Sequence, residues 1–283
     1  MTDASGDTFC LNALKQADPE RYFTCLFVSP QHRAALAALY AFNLEIVRTR
    51  ELVSEPMIGE IRLQWWRDAL SGNSEGDALA HPVAGPLLKA ISEYNLPYKA
   101  FFNMIDARVF DLYDDPMPSL HDFEAYCGET FSALFQLSLF ILSDGRPYPA
   151  ANLCGHAGVA FGMTALLKAL SWHTARGQIY VPGDILRKHN VALDEILKRQ
   201  SSASIKAVLK EMRTITRRHL NRARSELAKL PEDLFPAFMP LASIDPALRA
   251  MEKRNYDPFG SVIEVSRLAL IFCFWRAMRS KKV

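Results

Sequence analysis

Residues 29–52 read SPQHRAALAALYAFNLEIVRTREL, and this stretch decides the fold. Ser29 before Pro30 sets an N-cap ahead of a proline at the first helical position, where the missing N–H would have no helical partner anyway. Behind it runs a long series of good helix formers, with no glycine or proline until Pro56. Similar signals recur outward along the chain. Ser54 is the expected cap of a helix over IGEIRLQWWRDAL, ended by Ser71-Gly72, and His81-Pro82 and Leu96-Pro97 open two more. Ser119 with Asp122 opens a helix through Leu142, and Pro149 precedes one through His173. Short helices fit GDILRKHN and ALDEILKRQ, a long one fits residues 204–229, and the last covers VIEVSRLALIFCFWRAM. Only QIYV (178–181) has the composition of a strand.

The expected class is therefore all-α, a helical bundle in a single domain over residues 1–283. Residues 1–20 and the polar stretch 71–77 (SGNSEGD) read as flexible. No internal repeat, low-complexity segment or linker asks for a second domain.

Composition narrows the function. The chain is 49% hydrophobic and 23% charged, and 33 Lys+Arg against 31 Asp+Glu leave a formal charge of +2. Such a surplus is too small for a dedicated nucleic-acid binder, so no nucleic acid is expected as partner. Cys10, Cys25, Cys127, Cys154 and Cys273 form no zinc spacing, and an odd, scattered set points to reduced thiols. The longest apolar run, Leu268 to Trp275, is too short to cross a bilayer, and MTDASGDTFC resembles neither a signal nor a transit peptide. The expectation is a cytoplasmic protein that can reach the inner face of the membrane.

Motifs for nucleotide loops, zinc proteases and serine hydrolases are absent. Gly155, Gly158 and Gly162 fall on one helix face and read as a close-packing surface. Asp111, Asp114 and Asp115 form the densest carboxylate cluster; Asp111 and Asp115, one turn apart, could share Mg²⁺, against a simple reading as solvated acids. Lys206, Lys210, Arg213, Arg217 and Arg224 make a basic stripe, joined by Arg276, Arg279, Lys281 and Lys282 at the end of the sequence. The stripe reads as a solvated face, or as a surface for weak peripheral contact with anionic lipid.

Two segments carry a more specific signal. SPQHRAALAALYAFNLEIVRTREL resembles the first motif of the squalene/phytoene synthase family, Y-A-F-C-R-x-x-D-D-x-x-D. TALLKALSWHTARGQIYVP (164–182) resembles its second, N-I-x-R-D-x-x-E-D-x-x-x-G-R-x-Y-L-P. LQWWRDAL, HDFEAYCG and MEKRNYDPF extend the likeness over most of the chain, in the expected order. The resemblance implies the isoprenoid-synthase fold, a helical bundle around a central apolar cavity. It also implies a site where Mg²⁺, held by both Asp-rich motifs, binds prenyl diphosphates. Laid residue by residue, the first motif's aspartates fall on Val47, Arg48 and Glu51, and its arginine on Leu44. In the second, the acidic positions fall on Ala169, Trp172 and His173, Lys168 stands for Arg, and Gln178 replaces the Arg of G-R. Of six acidic positions only Glu51 stays acidic. No catalytic residue and no metal or other cofactor is expected on such positions.

Within this family the chain is most similar to the complex I assembly factors. Ala41-Phe42-Asn43-Leu44-Glu45, Val53-Ser54-Glu55, Ile58-Gly59, Arg62, Gln64, Trp65 and Trp66 match that branch. So do Trp172-His173, Arg176-Gly177 and Pro182-Gly183-Asp184-Ile185. The branch implies a non-catalytic factor whose partners are complex I subunits or assembly intermediates. Two further readings stand beside it. One is a divergent head-to-head prenyl transferase in squalene or phytoene biosynthesis, using Mg²⁺ on Glu51, Asp111 and Asp115. The other is a metal-free binder of a prenyl or other lipid, with Arg48, Arg50, Lys168 and Arg176 on its phosphate oxygens. Trp65, Trp66 and Trp172 either line the family's cavity or fill it.

Overall fold

The computed structural model describes residues 3–73, 75–261, 263 and 265–283, and no strand occurs among them. In chain order the helices are α1 (Asp3–Ala17), α2 (Pro19–Leu26), α3 (Pro30–Val47), α4 (Pro56–Leu70), α5 (Glu75–Ala80), α6 (Ala84–Glu93), α7 (Tyr98–Val109) and α8 (Leu120–Cys127). Then come α9 (Ala133–Leu142), α10 (Ala151–Lys168), α11 (Leu170–Thr174), α12 (Gly183–Lys188), α13 (Leu193–Leu197), α14 (Ala203–Leu227), α15 (Ile244–Ala250) and α16 (Arg267–Ser280). They form two compact units. Residues 1–112, 133–151 and 230–240 make the first; residues 113–132, 152–229 and 241–283 make the second. The chain passes between the units repeatedly, which is why no boundary shows in its composition.

In the first unit α3 is the hub, with α1, α6 and α9 packed on it. Leu36, Leu39, Tyr40, Phe42 and Ile46 are all buried. Phe42 meets Trp66 and Phe101 edge-on, at ring separations of 5.1 and 5.5 Å. The Tyr40 hydroxyl lies 2.9 Å from Ser138 Oγ, which donates its own proton to the Leu134 carbonyl. Tyr40 is therefore the donor, and burial raises its pKa far above the ordinary phenol value. Tyr40-Ala41-Phe42 thus builds the core, and Trp66 fills it.

Residues 3–17, read as flexible, form α1: Cys10 and Leu14, one turn apart, are fully buried and fix it to α3. The 71–77 loop is shorter than expected because α5 begins at Glu75 and is anchored by fully buried Ala78. Glu55, rather than Ser54, precedes α4, whose first residue is Pro56.

In the second unit α10 and α14 are the long helices. A Cβ on Gly158 would overlap Ser132, and one on Gly162 would stand 2.5 Å from Phe131 and 2.9 Å from Cys127 Sγ. These two glycines let α10 close onto the segment 127–132, as their spacing predicts, but Gly155, read with them, has nothing within 4 Å of an added Cβ. Residues 128–132 make a π-turn between α8 and α9, so the helix read as continuous through Leu142 carries a bulge. Helical residues 120–142 have the length and mean hydropathy (1.3) of a membrane span, but 72% of that window is buried inside the protein, as in a core helix. QIYV is irregular: Ile179 O accepts from Met117 N, and Gly183 N donates to Met117 O. Of the expected last helix, Val262 and Glu264 lie outside the described residues; α16 starts at Arg267, where Ser266 Oγ caps Ala269 N.

Candidate functional site

The first motif straddles a change of helix type. The α-helix ends at Val47, and residues 48–51 continue as a 3-10 turn. With three residues per turn, positions i and i+3 eclipse, so Arg48 comes over Glu51 where an α-helical period pairs Val47 with Glu51. Arg48 Nε lies 3.8 Å from Glu51 Oε2, with about half of the arginine side chain and a third of the carboxylate exposed. The one surviving carboxylate is thus held by an arginine that stands where an aspartate is expected. Leu44, Val47 and Arg50 are half-buried, and Asn43 Oδ1 is buried without a hydrogen-bond partner.

The second motif sits where α10 gives way to α11. Lys168 ends α10, Ala169 is the hinge residue, and His173 N donates to Ala169 O at 2.9 Å. Ala169 and His173 therefore share a face, one turn apart, as their spacing predicts. Trp172 is 39% exposed, and the Arg176 guanidinium lies over its ring at 3.9 Å. His173 packs on Trp172 and on Tyr180, at 5.3 and 4.7 Å between ring centres. Gly177, at φ +82°, closes the turn: Gln178 N donates to His173 O and Gly177 N to Thr174 O. That left-handed helix ending needs glycine, which explains why the G of G-R persists while its arginine has become the buried Gln178. The cavity behind His173, lined by Leu167, Leu170, Tyr180 and Met212, measures about 10 Å³, room for one water.

Mg²⁺ does not fit these positions. Val47, Ala169 and Trp172 bring no oxygen, Arg48 repels a cation, and His173 suits softer ions. Among the described residues no group of three or more His, Cys, Asp or Glu is placed to hold a metal. Asp111, offered above as a Mg²⁺ ligand, is buried and paired with Arg108 at 3.0 Å, a link that its i, i+3 spacing could have revealed.

The basic stripe is corrected too. Arg217 makes a two-pronged bond to Glu252 at 2.6 and 2.7 Å, Arg213 stands 3.8 Å from the same carboxylate, and Arg224 binds Asp245 at 2.7 Å. These arginines tie α14 to α15 and the segment after it. Lys206 and Lys210 remain open, on a surface cavity of about 260 Å³ with Lys253, Arg254 and Tyr256. Asp184 of the P-x-D-I match is structural: its carboxylate accepts from Leu120 N at 3.0 Å and Ile185 N at 2.8 Å. Sequence spacing gave no hint of His156 and His219, 63 residues apart, which meet at 3.1 Å beside Glu124.

The squalene/phytoene synthase family model matches residues 14–270. A complex I (NADH dehydrogenase) assembly factor 6 of Rattus norvegicus is 29% identical over 95% of this chain and 81% of its own length. That of Homo sapiens is 30% identical over 89% of this chain and 76% of its own. Among solved structures, a dehydrosqualene synthase in complex with a ligand superposes with a TM-score of 0.83 at 17% identity, covering 99% of this chain and 97% of that one.

Proposed function

Since the chain belongs to the squalene/phytoene synthase family, we propose that it uses the isoprenoid-synthase fold without prenyl transfer, as an assembly factor for respiratory complex I. The observation that carries this reading is the donor set: Val47, Arg48, Ala169, Trp172 and His173 stand where five of six carboxylates are needed, and Arg48 holds the sixth. A diphosphate leaving group needs metal or an equivalent charge at the moment of departure. Similarity to assembly factors along nearly the whole chain supports the role itself. Subunits or intermediates of complex I are the partners on this reading, and the cytoplasmic side of the membrane bearing that complex is the place of action.

Deleting the gene and following NADH:quinone oxidoreductase beside total squalene, phytoene and hopanoids tests the role. A loss of assembled complex with unchanged isoprenoids is expected. Unchanged complex with depleted isoprenoids would overturn the reading in favour of a transferase. Arg48 and Arg50 in the first unit, and Lys168 and Arg176 in the second, are the groups that could retain a phosphate-bearing lipid without metal. Isothermal titration with farnesyl diphosphate in EDTA measures that property separately, and Arg48→Gln should weaken any heat observed.

A further inference from the structure

On α16, Leu268, Ile271, Phe272 and Trp275 are 80%, 41%, 62% and 49% exposed. Their spacing of three and four residues puts all four on one stripe. Leu270, Phe274 and Ala277, on the opposite side, are buried. The helix is therefore apolar on both faces, and only one of them is covered. Beside the open stripe lie Arg276 and Arg279, with Arg279 over the Trp275 ring at 5.5 Å, and Lys281 and Lys282 follow. From Arg267 to Val283 there is no Asp or Glu.

We propose that this stripe is a docking surface for an anionic lipid bilayer, with Leu268, Phe272 and Trp275 entering the headgroup boundary and the cations resting on lipid phosphates. The stripe is a convex helix face rather than a groove, which suits a deformable interface. Tryptophan beside arginine is the pairing that an interface with one wet and one apolar side favours. Exposed area is on the order of 400 Å², from aromatic side chains of about 150–250 Å² each, whereas one partner of a stable protein complex covers about 800 Å². A second copy packed stripe to stripe would also bring two acid-free cationic rims together. The surface differs from the α14 stripe, whose arginines are engaged within the protein, and it does not depend on the assembly role.

Flotation of the purified full chain with two vesicle types tests it: phosphatidylcholine alone, and equal parts phosphatidylcholine and phosphatidylglycerol. Binding to the anionic vesicles only, weakening as salt is raised, is expected. Arg276→Gln/Arg279→Gln should lower the partition coefficient about fivefold per cation removed, matching about 1 kcal/mol for each near-surface charge. Leu268→Ser/Phe272→Ser should abolish binding with unchanged helical circular dichroism. Trp275→Phe should float as before but lose the blue shift of tryptophan emission, a readout that survives should the serine variant fold poorly. Three results would overturn the proposal: no binding to anionic vesicles, binding indifferent to salt and to these substitutions, or a dimer in light scattering that the serine variant dissociates.

Discussion

His156 and His219 bring their Nδ1 atoms within 3.1 Å, and His219 Nε2 stands 3.2 Å from Glu124 Oε1. Two imidazoles in this contact share one proton between their Nδ1 atoms, so the accepting ring must be neutral and both rings cannot be charged together. Burial lowers both pKa values, helped by Arg222 at His156 and by Arg218 at His219; Glu124, with Glu226 at His156, pulls the other way and is outweighed. The folded values thus lie below the unfolded value of about 6.5. Above it neither state binds the protons, and the stabilisation is complete; as pH falls the unfolded chain protonates first, so stability drops. The melting temperature is expected to fall between about pH 7 and pH 5, and His219→Gln should shrink that fall by removing one titrating ring. An equal fall in both proteins would place the acid sensitivity elsewhere. Charge decides the outcome at the first motif as well. Val47→Asp adds one carboxylate beside Arg48, which neutralises it, and leaves Ala169, Trp172 and His173 without oxygen. With Mg²⁺ and farnesyl diphosphate this variant should release no diphosphate above the wild-type background; a clear burst would show that a single ligand restores the site.

At the scale of elements, α10 offers a matched pair of tests. Gly158 meets Ser132, including its backbone nitrogen, so a Cβ there cannot be absorbed by a rotamer change. Gly158→Ala should destabilise the protein by about 2–3 kcal/mol, the usual scale of overpacking. Gly155, three residues earlier, has nothing within 4 Å of an added Cβ. Gly155→Ala should therefore stabilise it, by about 0.5–1 kcal/mol, through helix propensity alone. Urea denaturation measures both, and equal signs would mean that α10 does not approach the 127–132 segment as described. This packing was legible in the sequence for Gly158 and Gly162, while Gly155, read into the same face, takes no part in it. The starts of α3 and α8 were legible too, since Ser29-Pro30 and Ser119 are local signals, whereas the Ser202 cap of α14 went unread. The π-turn at 128–132 and the 3-10 turn at 48–51 were not legible, because their geometry answers to packing rather than to the residues they contain. For the same reason the motif spacing placed Val47, Arg48 and Glu51 without showing that Arg48 turns onto Glu51. The apolar run of α16 was visible as well, yet periodicity alone cannot say that Phe274 is covered and Phe272 open.

For the molecule as a whole, the consequence of interleaving is that no single cut of the chain yields either unit. The first needs α9 and residues 230–240 to complete the core around α3. Ser138 of α9 holds buried Tyr40, and Phe135 of α9 stacks on Phe238 at 5.3 Å with the rings 2° from parallel. A fragment of residues 1–112 would keep α1 to α7 but expose the α3 face that α9 covers and leave the Tyr40 hydroxyl without Ser138. An unsatisfied buried hydroxyl costs about 1–3 kcal/mol, and the lost apolar contacts of α9 add several side chains at about 1.5–3 kcal/mol each. Against a total stability of about 5–15 kcal/mol, such losses remove the margin. The fragment is therefore expected to be helical yet loosely packed, binding anilinonaphthalene sulfonate and giving a narrow amide spectrum, while the full chain does neither. A well-dispersed spectrum from residues 1–112 would mean that α3 finds enough cover from α1 and α6 alone, and that α9 and residues 230–240 are additions to a core already complete.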